Sequence, residues 1–407
     1  MPAGILRGLY WTLPGLVALV AACGGGSSTP AQGGAVGAAP GREPDPGDEL
    51  LVVSRRGWRT DFSRHVVPLI EFQSGGPGRD GIPAIDRPRL TTVQAASAWL
   101  APREPVIELV VGGQARAYPL QILLWHEIVN DTIAGRPIVA TYCPLCNSAL
   151  AYTRRVGPRK LSFGTTGNLR HYDLVMYDRQ TESWWQQFDG SALVGELAGA
   201  QLRPLPAALR AWREFARDHP HATVLSRDTG HDRPYGSSPY AGLDGSRRSR
   251  TECGLLAAMG SAPQCATSSD RRLPPRERVV LIERGADALA VPFPALRRAR
   301  TIRARIDDQQ IDVAWRPGQL SPFARAEGGP GKPVGSVIVR SSRTGARIQA
   351  STPFWFAVAA FHPAVRIWTP VNPMLRGEGP RERDRARAPD AGQARPPLVG
   401  APHVRPR

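Results

Sequence analysis

The stretch VIELVVGGQARAYPL at residues 106–120 matches VVLIERGADALAVPF at residues 279–293 at one constant offset. In both copies an apolar run reaches a glycine and a second apolar run ends at a proline, Pro119 or Pro292. This pattern predicts two strands joined by a tight turn, with a short helix after the proline. Self-similarity at a fixed spacing indicates a repeated unit, so the chain predicts a fold that was built twice.

The match extends outward from this stretch. The same offset places IVATY at 138–142 on IDVAW at 311–315, and a second echo pairs the Trp212–His219 segment with the Trp355–His362 segment. Glycine and proline are frequent, at 42 and 40 of 407 residues, which favours many turns over a helical bundle. We therefore predict an α+β fold, a strand-rich body of two diverged internal repeats with short helices. The predicted first repeat spans 50–245, an insertion loop 246–272 and the second repeat 273–371.

The N-terminus has the pattern of an export signal. Arg7 precedes an apolar run from Leu9 to Val20, which is too short to cross a bilayer and ends in Ala-Ala-Cys23. This pattern predicts a lipoprotein-type signal peptide at 1–23 with lipid attached to Cys23; an ordinary secretory signal with an incidental cysteine is the alternative. Residues 24–49 predict a flexible linker, and 372–407 predict a disordered basic tail. We expect an exported protein that is lipid-anchored to the bacterial cell membrane and faces the periplasm or exterior.

The formal charge of +17 does not predict a nucleic-acid partner. Nearly all the basic residues are arginines, and they are scattered along the chain without a basic stripe or a nucleic-acid motif. The partner that we expect is a membrane, reached through the lipid anchor.

Cys143-Pro-Leu-Cys146 follows the apolar run of the first copy. A CxxC pair can bind a soft metal, cycle between dithiol and disulfide, or staple a turn. The flanking residues predict a strand, a CPLC turn and a second strand, which suits metal ligation or a local disulfide better than a thioredoxin-type nucleophile. Cys143 aligns with Arg316, and Cys146 has no counterpart in the second copy, so we place the chemistry in the first half.

A metal would need ligands beyond two thiols. His126 is the candidate third ligand, with Glu127 and Asn130 on the same predicted helix, from Pro119 to about Asn130. Two thiolates with a His or a Met suit copper(I), whereas two thiolates with a His and a carboxylate suit zinc. Other candidates for a supporting layer or a ligand pocket are His171, Met176, Asp178 and Trp184. For Asp178 and the tryptophans, a turn cap and core packing are equally good interpretations.

Cys253 and Cys265 lie in a stretch rich in Ser, Gly and Arg. In an exported protein, a disulfide that closes a surface loop is the expected state of such a pair.

Several stretches together resemble a bacterial family, the domain-of-unknown-function family 3179. They lie between about residues 80 and 368 and include DGIPAID at 80–86, AYPL at 117–120, HEIVND at 126–131, TYCPLC at 141–146, MYDR at 176–179, TESW at 181–184 and His219-Pro220. The resemblance implies the extent of the fold and singles out His126, Glu127, Cys143 and Cys146. His171 and the segment around Cys253 and Cys265 depart from the pattern. The family implies no reaction.

Three hypotheses follow for the function. The first is binding of copper or zinc through Cys143 and Cys146 with His126. The second is thiol–disulfide redox chemistry by the same pair, and the third is a non-catalytic ligand-binding module in which the pair is a structural disulfide. The sequence leaves open whether the protein is an enzyme.

Overall fold

The computed structural model describes residues 55–243, 270–324 and 329–370. In the first half, a 3-10 helix (Leu69–Glu71) precedes the helices α1 (Val93–Ala96), α2 (Leu120–His126) and α3 (Trp212–Asp218). The strands of this half are β1 (Phe72–Ser74), β2 (Leu90–Thr92), β3 (Pro105–Val111), β4 (Gln114–Pro119), β5 (Ile128–Ile133), β6 (Arg136–Cys143), β7 (Ser148–Thr153), β8 (Arg155–Val156), β9 (Arg159–Lys160), β10 (Phe163–Arg170), β11 (Asp173–Asp178), β12 (Trp184–Gln186), β13 (Ala192–Val194), β14 (Pro204–Leu205), β15 (Ala207–Ala211) and β16 (Thr223–Leu225).

The second half contains fewer elements. They are β17 (Val279–Arg284), β18 (Asp287–Pro292), α4 (Phe293–Ala299), β19 (Thr301–Ile306), β20 (Gln309–Arg316), β21 (Ser336–Ser341), α5 (Trp355–Phe361) and β22 (Arg366–Ile367).

The strands form small, mostly antiparallel sheets. In the first half the orders are β1-β10-β11-β12-β13, β14-β7-β6-β5 and β15-β3-β4-β16-β2, with the hairpin β8-β9 beside them. In the second half the orders are β17-β18-β22 and β19-β20-β21.

The two halves repeat one unit at the level of individual backbone contacts. The order β3-β4-α2-β5-β6 recurs as β17-β18-α4-β19-β20, and each seven-residue helix ends at a residue with positive φ, Glu127 (56°) or Arg300 (64°). In the first half β16 lies parallel to β4, and in the second half β22 lies parallel to β18. The predicted α+β fold of two diverged repeats with short helices is confirmed.

One hydrophobic core spans both halves. It includes Cys143 and Cys146 of the first half together with Phe354 and Trp355 of the second. A separate apolar cluster occupies the second repeat, around Ile311. The second repeat thus has its own core, and its residues Phe354 and Trp355 also belong to the core that contains the cysteines.

The helix that we predicted from Pro119 to about Asn130 is shorter than expected. It ends at His126, and Asn130 lies on β5. Glu127 adopts a positive φ, and the β-branched pair Ile128-Val129 then continues as strand. His126 and Asn130 therefore do not lie one helical turn apart.

Several predictions fall outside the described residues and stay predictions. They concern the signal peptide at 1–23, the linker at 24–49, the lipid on Cys23, the Cys253–Cys265 disulfide and the tail at 372–407. Among the described helices, none has the length and apolar character needed to cross a membrane.

Candidate metal centre

The CPLC segment is a tight turn between β6 and β7, as predicted. Cys143 pairs with Ser148 across the ladder, and the Asn147 amide donates to the Pro144 carbonyl (3.2 Å). Asn147 has φ of 54°, a conformation that asparagine tolerates better than most residues. The turn buries both cysteines, which are only 2% and 0% exposed.

A second hairpin meets this turn. Arg170 pairs with Asp173, so the β10–β11 loop has two residues, His171 and Tyr172, both with positive φ (52° and 63°). Two-residue loops of this kind favour Asn-Gly because both residues have a positive φ. His171 and Tyr172 therefore adopt a backbone conformation that is costly for large side chains. The Tyr172 carbonyl lies 3.4 Å from Cys146 Sγ and 3.9 Å from Cys143 Sγ. The strained loop therefore faces the sulfurs.

Asp173 completes a cluster with the two cysteines. One carboxylate oxygen and the two sulfurs all lie within 4.8 Å of one another, and all three side chains are buried. Oδ2 of Asp173 accepts hydrogen bonds from Gln186 Nε2 (2.7 Å) and the Phe188 amide (2.9 Å). These donors hold the carboxyl group in place. Sulfur and carboxylate donors at this separation have the chemistry and spacing of a metal-ligand set.

Among the described residues, no ion pair with a cation offsets the burial of Asp173. Burial raises the pKa of Asp173 to about 7, and burial also raises the pKa of the Cys143 thiol and, to a greater extent, that of Cys146. Near pH 7 the two thiols are therefore held in their neutral forms and Asp173 is about half protonated, and a bound metal ion would favour the ionised forms of all three groups.

Glu127 adds a second buried carboxyl group to the same region. Its Oε1 accepts a hydrogen bond from the Tyr240 hydroxyl (3.2 Å). Burial raises the pKa of Glu127 to about 8, and the charge of Asp173 acts in the same direction. Glu127 in turn raises the pKa of Cys143, so it lies within electrostatic reach of the cluster.

His126, our predicted third ligand, lies outside this cluster; the third group beside the two cysteines is the carboxylate of Asp173. Nδ1 of His126 lies 2.7 Å from the Pro83 carbonyl oxygen, and Nε2 lies 2.6 Å from the Tyr235 hydroxyl. Burial lowers the pKa of His126 to about 4, so the ring is neutral near pH 7. Both ring nitrogens are thus already engaged in holding neighbouring segments.

Asn130 and His171 have structural contacts. The Asn130 side chain donates to Asp86 Oδ1 (2.7 Å) and accepts from the Phe163 amide (2.9 Å), which joins β5 to β10. His171 packs edge-on against Phe361, with ring centroids 5.4 Å apart. Asn130 therefore supports the frame, and His171 belongs to the strained loop.

Met176, Asp178 and Trp184 lie on β11 and β12 and are fully buried. Asp178 accepts from the Thr181 amide (2.6 Å) and from Trp185 Nε1 (3.0 Å). Trp184 packs against Trp58 and Phe62, with centroids 5.2 Å and 5.1 Å away. These contacts correspond to the turn cap and the core packing that the sequence offered as the second interpretation.

Sequence reasoning missed Asp173. It is the first residue of β11 and carries no spacing relation to the CxxC pair, so only the β10–β11 hairpin brings it there. The single hint was a carboxylate at the start of an otherwise apolar strand.

The second half forms one wall of the centre. The Phe354 amide donates to the Cys146 carbonyl (2.9 Å), and the Asn147 side chain donates to the Thr352 carbonyl (2.7 Å). Phe356 packs edge-on against Tyr172, with centroids 6.3 Å apart. The segment before α5 therefore holds the CPLC turn from behind.

Comparison with known families gives one match. The family model described as "Protein of unknown function (DUF3179)" matches residues 79–365, which include every residue of the cluster. Searches of the curated proteins and of the solved structures found no match.

Proposed function

The chain belongs to this family, whose description names no activity, and we propose from the centre itself that the protein binds a soft metal through Cys143, Cys146 and Asp173. The observation that carries the proposal is the buried cluster of two sulfurs and one carboxylate within 4.8 Å. Three acidic groups buried together without a cation are costly to ionise, and a divalent ion offsets that cost.

The donor set favours zinc over copper(I). Thiolates suit both ions, whereas a carboxylate suits zinc and adds little for copper(I). Asp173 is fixed by two hydrogen bonds to one of its oxygens, which is typical of carboxylates that bind metals and are oriented by their neighbours. Zinc is therefore our first assignment and copper(I) our second.

Thiol–disulfide exchange is the weaker candidate. A reactive cysteine needs a lowered pKa and some exposure, whereas these thiols are buried and their pKa values are raised. The two sulfurs are not joined in the structure. A structural disulfide stays the third candidate, because an exported protein would meet an oxidising environment.

The test is metal analysis of the purified protein after it has been loaded with zinc and desalted. We expect about one zinc per chain in the wild type and none in Cys143→Ser. Arg316→Ser is the matched control, because Arg316 occupies the equivalent position of the second copy and is exposed; it should keep its zinc. Equal zinc in the wild type and Cys143→Ser would refute the proposal. Competition between zinc and copper(I) then decides the metal.

Export and anchoring are a separate part of the proposal. The Ala-Ala-Cys23 pattern supports lipid attachment and a location outside the cytoplasm, with the membrane as partner. The scattered arginines support no nucleic-acid partner. Expression of the full chain with Cys23→Ala tests this directly. We expect wild-type protein in the membrane fraction and the variant released from it. Equal membrane association of both would contradict a lipid anchor at Cys23.

A further inference from the structure

Three side-chain ligands leave one position of a tetrahedral metal unfilled. Structural zinc sites are almost always four-coordinate. Within the described residues, the cluster offers three side-chain ligand atoms, from Cys143, Cys146 and Asp173. The two cysteines are only 2% and 0% exposed, so bulk water has little access to their sulfurs. The fourth ligand is therefore to be sought among the protein atoms that surround the sulfurs.

The carbonyl oxygen of Tyr172 lies within reach of both sulfurs at once. It is 3.4 Å from Cys146 Sγ and 3.9 Å from Cys143 Sγ. With zinc–sulfur bonds of about 2.3 Å and zinc–oxygen bonds of about 2.0–2.2 Å, the sulfur–oxygen edge of a tetrahedron is about 3.5–3.7 Å long. The two observed distances lie on either side of this length. Backbone oxygens do serve as ligands in transition-metal sites, so this oxygen fits the fourth vertex.

The loop that carries this carbonyl has an unusual composition. The β3–β4 and β5–β6 hairpins also have two-residue loops with positive φ, and they use small residues, Gly112-Gly113 and Ala134-Gly135. The β10–β11 hairpin instead uses His171 and Tyr172, with φ of 52° and 63°. Strain of this kind persists where the surrounding structure enforces it, and it is frequent at functional sites. In this hairpin the strained residues are those that direct the Tyr172 carbonyl toward the sulfurs.

The second half of the chain packs against both side chains of this loop. Phe356 lies edge-on to the Tyr172 ring, with centroids 6.3 Å apart, and Phe361 lies edge-on to the His171 ring at 5.4 Å. Both phenylalanines belong to α5. The loop is therefore held against α5 in the metal-free protein, which keeps its carbonyl oriented before a metal binds.

We infer that the carbonyl oxygen of Tyr172 is the fourth ligand, so that two sulfurs, the Asp173 carboxylate and one backbone oxygen close the coordination sphere of the metal. The inference rests on the proposed metal centre and assigns its role. A closed sphere has no open position for a substrate or a water molecule, as in structural zinc sites. The metal then joins the CPLC turn to the β10–β11 hairpin.

Cobalt(II) in isotope-labelled water tests whether the fourth position is closed. The electron paramagnetic resonance signal of cobalt broadens when water enriched in the magnetic oxygen isotope binds the metal. We expect no broadening in the wild type. A glycine inserted between His171 and Tyr172 displaces the carbonyl, so this variant should show the broadening and bind zinc at least about tenfold more weakly. A glycine inserted between Ala134 and Gly135 is the matched control, because it lengthens a loop of the same type that contains none of the cluster residues; it should change neither property.

A second measurement follows the carbonyl itself. Tyr-Asp occurs twice in the chain, at 172–173 and 177–178, so isotope labels in tyrosine carbonyl carbons and aspartate nitrogens give two NMR signals for tyrosine carbonyls. On zinc binding, we expect the Tyr172 signal to shift and the Tyr177 signal, near the other end of β11, to stay in place. His171→Asn should bind zinc within about twofold of the wild type, because asparagine suits the first position of such a loop and the proposed ligand is a backbone atom.

The outcomes separate the two proposals. If the protein takes up no metal that depends on Cys143, the metal centre itself is refuted. If metal binds but labelled water broadens the cobalt signal of the wild type, the metal centre stands and water is the fourth ligand, which overturns the inference. An unshifted Tyr172 carbonyl signal would also overturn it, and loss of zinc in His171→Asn would do so in favour of the imidazole. The two wild-type measurements decide the matter if the insertion variant fails to fold.

Discussion

The two repeats share one backbone pattern but place different side chains on it. Glu127 and Arg300 both follow the repeated helix and both have a positive φ. The Tyr142 amide donates to the Glu127 carbonyl, and the Trp315 amide donates to the Arg300 carbonyl, each at 2.8 Å. The strained backbone at this position is therefore a property of the repeat and does not by itself mark a site. The difference lies in the side chains: the first copy places a buried acid there, and the second places an arginine stacked on tryptophan.

In the first copy, a segment before the repeat covers β10. Residues 75–86, which we call the strap, lie across β10: the Gly75 amide donates to the Gly167 carbonyl (2.7 Å) and the Asp80 amide to the Thr165 carbonyl (2.9 Å). Within the described part of the second repeat, β20 leads to β21 with no strand between them. The equivalent positions of the second half, 248–259, lie outside the described residues, so the strap is described for the first copy, which contains the cluster of Cys143, Cys146 and Asp173.

The largest effect that we expect comes from the contact between the strap and β10. A Cβ on Gly167 would come within 1.9 Å of the Pro77 carbonyl oxygen, whereas a Cβ on Gly113, with the same φ of 79°, would meet nothing within 4 Å. Gly167→Ala should therefore lower the free energy of unfolding by about 2–3 kcal/mol more than Gly113→Ala, since both share the cost of the backbone conformation. Urea unfolding of the two variants measures the difference. Equal losses in the free energy of unfolding would show that the strap moves away from β10 at little cost.

The next effect concerns Asp173 as a ligand. Asp173→Asn should weaken zinc binding about 100-fold, or about 2.7 kcal/mol, because the amide carries no charge. Asp178→Asn is the matched control: Asp178 is equally buried on the same strand but caps a turn. Zinc titration with a competing chelator measures both affinities. If the two variants bind zinc alike, Asp173 is not a ligand.

The third effect is the pH dependence of the metal-free protein. Asp173 and Glu127 have pKa values of about 7 and 8 when folded, above their ordinary values of 3.8 and 4.5. The folded state therefore holds protons that the unfolded state has lost, and stability should fall as pH rises from about 5 to 8, by about 2 kcal/mol or more. Zinc binding displaces the protons of Asp173 and of both thiols, whereas the unfolded chain keeps its thiol protons over this range, so the stability of the zinc-loaded protein should rise with pH. Chemical unfolding at several pH values, with and without zinc, measures both slopes. The same downward slope in Asp173→Asn/Glu127→Gln would assign it to other groups.

The sequence predicted the frame better than the centre. The repeat, the CPLC turn between strands and the first-half location of the site all followed from local patterns that the offset made visible. Asp173 could not be predicted, because its position depends on which hairpin packs against the turn. His126 was chosen for its residue type, whereas the carbonyl of Pro83 and the hydroxyl of Tyr235, distant in sequence, decide what its nitrogens do.

The smallest expected change in zinc affinity is that of a His126 variant, and it decides the role of this residue. Its pKa is about 4 when folded and 6.5 ordinarily, so between these pH values the unfolded state binds a proton that the folded state does not. The contribution of His126 to stability should therefore fall as pH drops through this range, by up to about 1.4 kcal/mol per pH unit, against the opposite slope from Asp173 and Glu127. His126→Gln should remove that part of the slope and leave zinc binding within about twofold of the wild type, because the side-chain ligands that we propose are Asp173 and the two cysteines. The exposed His65 gives the control variant His65→Gln, which should change neither property. Loss of zinc in His126→Gln at unchanged fold would restore His126 as a ligand. It would also mean that metal binding draws the helix end away from Pro83 and Tyr235, so that the first copy differs from the second in backbone as well as in side chains.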